Sequence, residues 1–494
     1  MTSSTVVVAI TLAYLVASLV IGLLPAGKAS SSATGYVAGD RSMGLLVMYF
    51  ITGATIFSAF AFLGGPGWSY SRGAASYYIL GYGTLGFLPF YFLGPRAARL
   101  GRRFQFVTQA EMVAARYEMP SLAITMAAIS TAAFIPYLAL QIKGAGYVLN
   151  TVTRGGISQE LGSAVVYGVV LLYVLKSGVL GVGWTNTFQG LLMMALAWTL
   201  GLYLPRRLYG GIGPMFAQIA RARPELLRSP GLASTGQSWG WGPYSSAVIV
   251  STVGFSVWPH TFMKAFSARS ERTIRRTVVL YPTFQLFLIP LFLIGYCGVL
   301  FATQPPRADQ VLPFILMSLD MPSLVVGIFC SGALAASMSS GDAIAHAAAS
   351  IVVRDGYLSL SKRTLSPIAE RRLIRYVVIA VMATSYAVAV LYRGSLVTLL
   401  LSTYGAVVQF APALVATLYL RRVSGRALLS GLLLGGALTG AFVISPDLRP
   451  WDLHPGLYGL TANTLTLVIG SLGHRPSQHA QNYLATAATP PAED

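Results

Sequence analysis

Acidic residues are scarce. Only 15 Asp and Glu stand among 494 positions, and the four charged types together make up 10% of the chain. Soluble globular proteins carry about 25%, so a soluble domain of this size is excluded. Cysteine is nearly absent. Cys297 and Cys330 both sit in apolar runs, with no spacing that would make a disulfide framework or a thiolate metal site. The opening MTSSTVVVAITLAYLVASLVIGLL lacks the basic n-region of a cleaved leader, so it reads as a retained first span. No nucleophile–base set, metal-ligand cluster or phosphate loop stands out, which argues against an enzyme.

What is present is apolar length. Hydrophobic residues make up 55% of the chain and the mean hydropathy is +0.65. About 20 apolar residues cross a bilayer as a helix. Thirteen runs qualify as candidates, near 5–25, 45–63, 76–94, 121–149, 161–176, 182–204, 245–263, 278–302, 323–352, 374–392, 396–420, 427–444 and 457–473. The expected fold is an all-α polytopic protein of the plasma (cytoplasmic) membrane, with the lipid bilayer as its solvent.

A net charge of +19 could signal nucleic acid, but the basic residues fall in short segments between apolar runs: RAARLGRRF (96–104), KAFSARSERTIRR (264–276), KRTLSPIAERRLIR (362–375) and RRVSGR (421–426). That is the positive-inside pattern, and no nucleic-acid partner is expected. With the N-terminus outside, inner segments hold 23 of the 34 Lys and Arg. The C-terminus is then cytoplasmic, and the polar tail from 474 is expected to be disordered.

Two spans are interrupted in a similar way. One reads GATIFSAFAFLGGPGWSY (53–70), and the other, five spans later, reads STVGFSVWPHTF (251–262). An odd offset reverses orientation, so the pair fits an inverted repeat whose broken helices line a midplane site. Gly and Pro are also simply common in membrane helices. Gly64, Gly65 and Gly67 are expected to permit the first break.

The stretch SGALAASMSSGDAIAHAAAS (331–350) places serines, Asp342 and His346 inside an apolar tract. Ala336, Ser339 and Ser340 share a helix face. Two hydroxyls and a carbonyl there are hard oxygen donors of the kind a small alkali cation takes. Serines also bond back to their own helix or pack helices closely, and the residues alone leave both readings open.

The chain resembles the sodium/solute symporters, the family that includes proline, pantothenate, sugar and monocarboxylate permeases. The similarity rests on GATIFSAFAFLGGPG (53–67), GVGWTNTFQG (181–190), WPHTFMKAFSARS (258–270), ALAASMSS (333–340) running to VVRDGY (352–357), and STYGAVVQFAP (402–412). The resemblance implies about 13 transmembrane helices around a core of two inverted five-helix halves. Residues 1–44 would be an extra N-terminal span and inner loop, and 45–208 the first half. A long outer loop (209–244) precedes the second half (245–420), two C-terminal spans (421–473) and the cytoplasmic tail (474–494). It also implies Na+ as coupling ion, held by the carbonyls of Ala54, Phe57 and Ala336 and the hydroxyls of Ser339 and Ser340.

The chain departs from the family pattern at two positions. Ile56 and Asn186 stand where many members carry aspartate, which puts a second cation site in doubt and fits a solute that brings its own negative charge. Segment 258–284 is most similar to the monocarboxylate-uptake branch, implying lactate, pyruvate, acetate or propionate as solute. Transport of an amino acid, pantothenate or a sugar, driven by sodium or protons, is the alternative.

Solute-binding candidates are Tyr137, Gln141 and Lys143 on one core helix, Trp258 and His260 around Pro259, and Gln409 with Tyr404 further on. Lys143 could attract a carboxylate or snorkel to the interface. Asp342 and His346 are candidates for coupling, since ionisable groups at membrane depth are functional candidates. Asp342 could pair with His346 one helical turn away or with Arg354. A receptor that reuses a transporter fold would carry a long signalling domain, and only about 20 polar residues follow the last span. The oligomeric state stays open.

Overall fold

The computed structural model describes residues 4–27, 33–319, 321–361, 363–394 and 403–490. Helices dominate, and the described residues contain no β-strand. Seven helices are individually long and apolar enough to cross a membrane, or eight if Leu45–Ile56 and Phe60–Gly86, bent by 55°, count as one span. Shorter helices, such as Trp241–Val257 and Pro455–Gly470, cover parts of other expected runs. Residues 396–402 of the run at 396–420 lie outside the described residues, and its remainder is the apolar helix Thr403–Tyr419.

The most polar of the long apolar helices is the most enclosed. Ser323–Ile351, here the serine helix, belongs to a span whose apolar window is 83% buried, against 33% for Thr5–Leu23, Pro367–Leu391 and Gly425–Ile444. The serine helix packs against Leu45–Ile56, Pro120–Val152 and Gln159–Tyr209. Lipid offers no hydrogen bonds, so a helix rich in hydroxyls is stable only where other helices surround it.

Local chemistry sets the breaks. Trp258 precedes Pro259, whose ring forces its neighbour out of the α region. Trp258 accordingly sits at φ −55, ψ 127, between the helices Trp241–Val257 and Pro259–Phe262. The helical run Gln159–Tyr209 has 51 residues, and a straight helix of that length would reach roughly 75 Å, more than twice the hydrocarbon thickness. Gly178 breaks it with φ 57, ψ −146. A Cβ there would also lie 2.5 Å from the Tyr36 carbonyl oxygen, so glycine is required on both counts.

The first break is not where the glycines predicted it. Helix Leu45–Ile56 ends at Phe57, which has φ −81 and ψ 69, whereas Gly64, Gly65 and Gly67 lie inside helical turns beyond it. Gly67 serves packing: a Cβ there would meet the Ala308 carbonyl oxygen at 2.9 Å.

Part of the tail is helical where disorder was expected. Gln478–Ala488 is a helix capped by the Ser477 hydroxyl. Its face of Ala480, Tyr483, Leu484 and Ala487 is buried. Tyr483 donates to the Met112 carbonyl at 2.7 Å, and Arg99 donates to the carbonyls of Ala487 and Ala488 at 2.9 and 2.8 Å. An amphipathic spacing of four small or aromatic residues was the overlooked signal. At the same end, Arg41 bonds the carbonyls of Phe266, Gly101 and Phe106 at 3.0, 2.8 and 3.0 Å. Burial, with Arg102 nearby, pulls its guanidinium below the ordinary range.

Candidate transport site

The site begins with a shortage of amide donors. In a continuous helix the carbonyls of Ala54, Thr55 and Ile56 would accept from the amides of Ser58, Ala59 and Phe60. Here Ser58 N–H turns to the Ile56 carbonyl at 2.9 Å, Ala59 N–H donates to Gln141 Oε1 at 2.9 Å, and Phe60 N–H to Ser58 Oγ at 3.1 Å. The carbonyls of Ala54 and Thr55 are left over.

The serine helix takes them. Ser339 Oγ donates to the Ala54 carbonyl at 2.9 Å and lies 3.2 Å from the Ala336 carbonyl. Ser340 Oγ donates to the Thr55 carbonyl at 2.5 Å. All five residues are fully buried. Four of the five residues named for the cation are thereby brought together, and Thr55, which the sequence did not single out, adds a further oxygen. Phe57 stands at the break itself, its ring stacked on Phe284 at 5.1 Å and edge-on to Phe287 at 4.8 Å. The donor set is neutral oxygen throughout, which suits a hard monovalent cation.

Gln141 joins the same centre. Its side chain holds the amide of Ala59, and its backbone carbonyl accepts from Ser337 Oγ at 2.7 Å. Tyr167 OH donates in turn to the Ser337 carbonyl at 3.0 Å.

Next to the break lies a small aromatic pocket, lined by Ile56, Tyr137, Trp258, His260 and Tyr404 among others. Tyr137 stands 5.0 Å from Trp258 and 5.8 Å from His260, centroid to centroid. From Trp258 a file of rings leads through Tyr404 (5.6 Å), Tyr82 (5.6 Å) and Tyr78 (4.8 Å) to Trp239 (5.9 Å) in the 209–244 segment. The apolar Ile56 thus forms a wall where a carboxylate would have faced the pocket.

Two solute candidates lie elsewhere. Lys143 donates to the Tyr392 carbonyl, with the ring of Tyr147 5.8 Å away, and does not line the pocket. Two residues of helical rotation, about 200°, separate it from Gln141, and its long stem carries the ammonium to Tyr392. Gln409 bonds Thr439 at 3.2 Å and accepts from Asn463 at 3.3 Å, which locks Phe410–Tyr419 to Gly425–Ile444 and Pro455–Gly470.

The two coupling candidates do not bond each other. Asp342 Oδ2 accepts from Tyr173 OH at 2.7 Å and Thr185 Oγ1 at 3.2 Å, while Oδ1 has no partner among the described residues. His346 Nε2 lies 3.0 Å from the Tyr36 carbonyl. Arg354 pairs with Glu111 and Glu370 at 2.9 and 3.1 Å, not with Asp342. Asn186, beside Thr185 in the chain, also lies within reach of the Asp342 carboxyl.

Lys264 was missed. Counted with the basic inner segment, it is instead 4% exposed and donates to the Ile51 carbonyl at 2.9 Å. Its position one helical turn after His260, inside the second broken helix, was the available signal.

The sequence pattern of the sodium:solute symporter family matches residues 36–435. An uncharacterised symporter of Bacillus subtilis, YhjB, is 28% identical over 457 residues, covering 90% of this chain and 92% of that protein. A monocarboxylate transport permease protein of Rhizobium johnstonii is 26% identical over 450 residues, covering 87% and 88%. A sodium-coupled sialic acid symporter, solved in a substrate-bound outward-open state, superposes with a TM-score of 0.79 at 19% identity, covering 96% of this chain and 98% of that one. That likeness establishes the shared fold. With four-fifths of its length matched, the chain belongs to the sodium:solute symporter family: it is a multi-pass, sodium-coupled secondary transporter of a small solute, and not an enzyme.

Proposed function

We propose that this protein takes up a short-chain monocarboxylate together with Na+ by alternating access. Sodium would be bound by the carbonyls of Ala54, Phe57 and Ala336 and the hydroxyls of Ser339 and Ser340. The observation that carries this is the pair of serine hydroxyls set on carbonyls that the first break has stripped of amide donors. Such oxygens replace the hydration shell of a small cation. The Thr55 carbonyl is a further oxygen of that cluster.

The solute would lie in the aromatic pocket, against Tyr137, Trp258 and His260, with Gln141 behind it. Lys143 and Gln409 do not line this pocket and are left out of the proposed solute site. The small volume, the Ile56 wall and the monocarboxylate permease among the relatives favour a short organic acid over a larger or cationic solute. A zwitterionic amino acid is the second reading, since the family also includes proline permeases and the ring-lined pocket suits a small zwitterion.

In this reading the N-terminus is outside, the C-terminus cytoplasmic, and segments 45–208 and 245–420 form the two inverted halves of a thirteen-helix protein in the plasma membrane. Sodium links the first broken helix to the serine helix, and that link shapes the pocket beside it. Coupling then arises from the different sodium affinity of the outward and inward states. One Na+ carried with one monocarboxylate moves no net charge, so a potential of 100 mV would contribute none of the roughly 2.3 kcal/mol available per charge.

The test is uptake of labelled pyruvate or propionate into proteoliposomes with and without an inward sodium gradient. Sodium-driven uptake that is lost in the Ser339→Ala/Ser340→Ala double variant is the expected result. Uptake that follows a proton gradient and ignores sodium would overturn the coupling ion, and uptake of proline in place of either acid would establish the second reading.

A further inference from the structure

A second cavity lies on the far side of His260. His260 lines both it and the aromatic pocket, so one imidazole forms the partition. The polar lining of the second cavity is His260, Lys264, Ser267 and His346, and the rest is mostly aliphatic, with Ile51, Val182 and Ala347 as examples.

Lys264 is the group without an explanation. It is 4% exposed, yet it takes part in none of the ion pairs among the described residues, all of which involve arginine. Its one assigned hydrogen bond, to the Ile51 carbonyl, uses one of three ammonium donors. Asp342 lies within electrostatic reach, but outside ion-pair distance, and its Oδ2 is engaged by Tyr173 and Thr185. A buried ammonium without a bonded anion is costly, and such a cost is retained where a ligand supplies the missing charge. His260 Nδ1, on the same partition, also has no partner among the described residues, and His346 is occupied by the Tyr36 carbonyl.

We propose that this cavity is a second solute site, in which Lys264 Nζ receives the carboxylate of a short organic acid after it passes His260 from the aromatic pocket. The aliphatic walls take the short tail and the ammonium takes the charge. The pocket at Tyr137 and Trp258 selects by size and apolar contact, and the Lys264 cavity selects for negative charge. The inference rests on the monocarboxylate reading for its choice of probe.

Its test is equilibrium binding of labelled propionate and of the uncharged isostere propionamide to the purified full-length protein in sodium. Wild type is compared with Lys264→Met, Lys264→Arg and Ala347→Leu, the last filling the cavity without touching the charge. Wild type should prefer propionate by about tenfold or more, the scale of one charge-assisted hydrogen bond. Lys264→Met and Ala347→Leu should lose that preference, and Lys264→Arg should keep most of it. Gel filtration shows which variants fold. If Lys264→Met misfolds, Ala347→Leu decides. An unchanged preference in a folded Lys264→Met or Ala347→Leu, or a wild type that binds neither compound, overturns the site. Charge-selective binding that needs Lys264, without sodium-driven uptake of propionate, supports the site and removes the transport reading alone.

Discussion

Ser339 Oγ donates to the carbonyl oxygen of Ala54 at 2.9 Å across 285 residues of sequence. The bond exists because the amide of Ser58, which would close the helix on Ala54, has turned to Ile56. The break in one half of the chain and the serine in the other half are a donor and an acceptor made for each other. A sodium ion between them would take a lone pair from each oxygen once the hydroxyl hydrogen turns away.

Ser339→Ala should raise the sodium concentration for half-maximal uptake by about tenfold or more, since one ligand of roughly 1.5–3 kcal/mol is lost. Ser339→Cys should not rescue it, because sulfur is a poor partner for a hard cation. Sodium titration of initial uptake rates measures both. An unchanged sodium requirement in Ser339→Ala would remove the residue from the cation site.

Gln141 acts on the break itself. Gln141→Leu leaves the buried Ala59 amide without an acceptor, at a cost of about 1–3 kcal/mol. The thermal midpoint should fall and uptake should drop. Gln141→Glu keeps an acceptor oxygen and should recover part of the stability. Thermal unfolding in detergent reads the difference.

Lys143 and Trp258 should behave oppositely. Lys143→Met removes a charge that faces the Tyr392 carbonyl, so the KM for solute should stay within about twofold. Trp258→Ala removes a wall of the pocket, and loss of an aromatic contact of this kind should raise KM by about tenfold or more. A Lys143→Met protein with a strongly raised KM would return that lysine to the solute site.

Asp342→Asn preserves an acceptor for Tyr173 and Thr185 and should fold with a thermal midpoint near wild type, whereas Asp342→Ala leaves both hydroxyls buried without it and should lose about 1–3 kcal/mol. If Asp342 contributes to coupling, Asp342→Asn alone should change the sodium or proton dependence of uptake. Uptake assays across sodium and proton gradients with a stable Asp342→Asn protein decide this.

Deleting the helix Gln478–Ala488 should lower the thermal midpoint while leaving sodium dependence in place. It is held by the Tyr483 hydroxyl on the Met112 carbonyl and by Arg99 on the carbonyls of Ala487 and Ala488, away from Ser339 and Ser340. Loss of sodium dependence on truncation would show that this helix bears on the cation site.

Composition and periodicity determined the class of this protein. Fifteen acids in 494 residues leave a membrane as the only solvent, because uncovered apolar surface at that density has no stable aqueous state. Pro259 determined the second break through a steric clash with its predecessor, a purely local effect. Ser339 and Ser340 were legible because small hydroxyls at helical spacing inside an apolar tract need partners. Tertiary structure decided the rest. The first break fell at Phe57 and not at Gly64–Gly67, because amide partners such as Gln141 were supplied from a distant helix. Lys143 left the pocket through its rotation on the helix, and Gln409 through packing against two C-terminal helices. Lys264 entered the interior because Ile51, 213 residues earlier, offered it a carbonyl. Local sequence sets which groups need a partner, and only the packed bundle decides which partner each one finds.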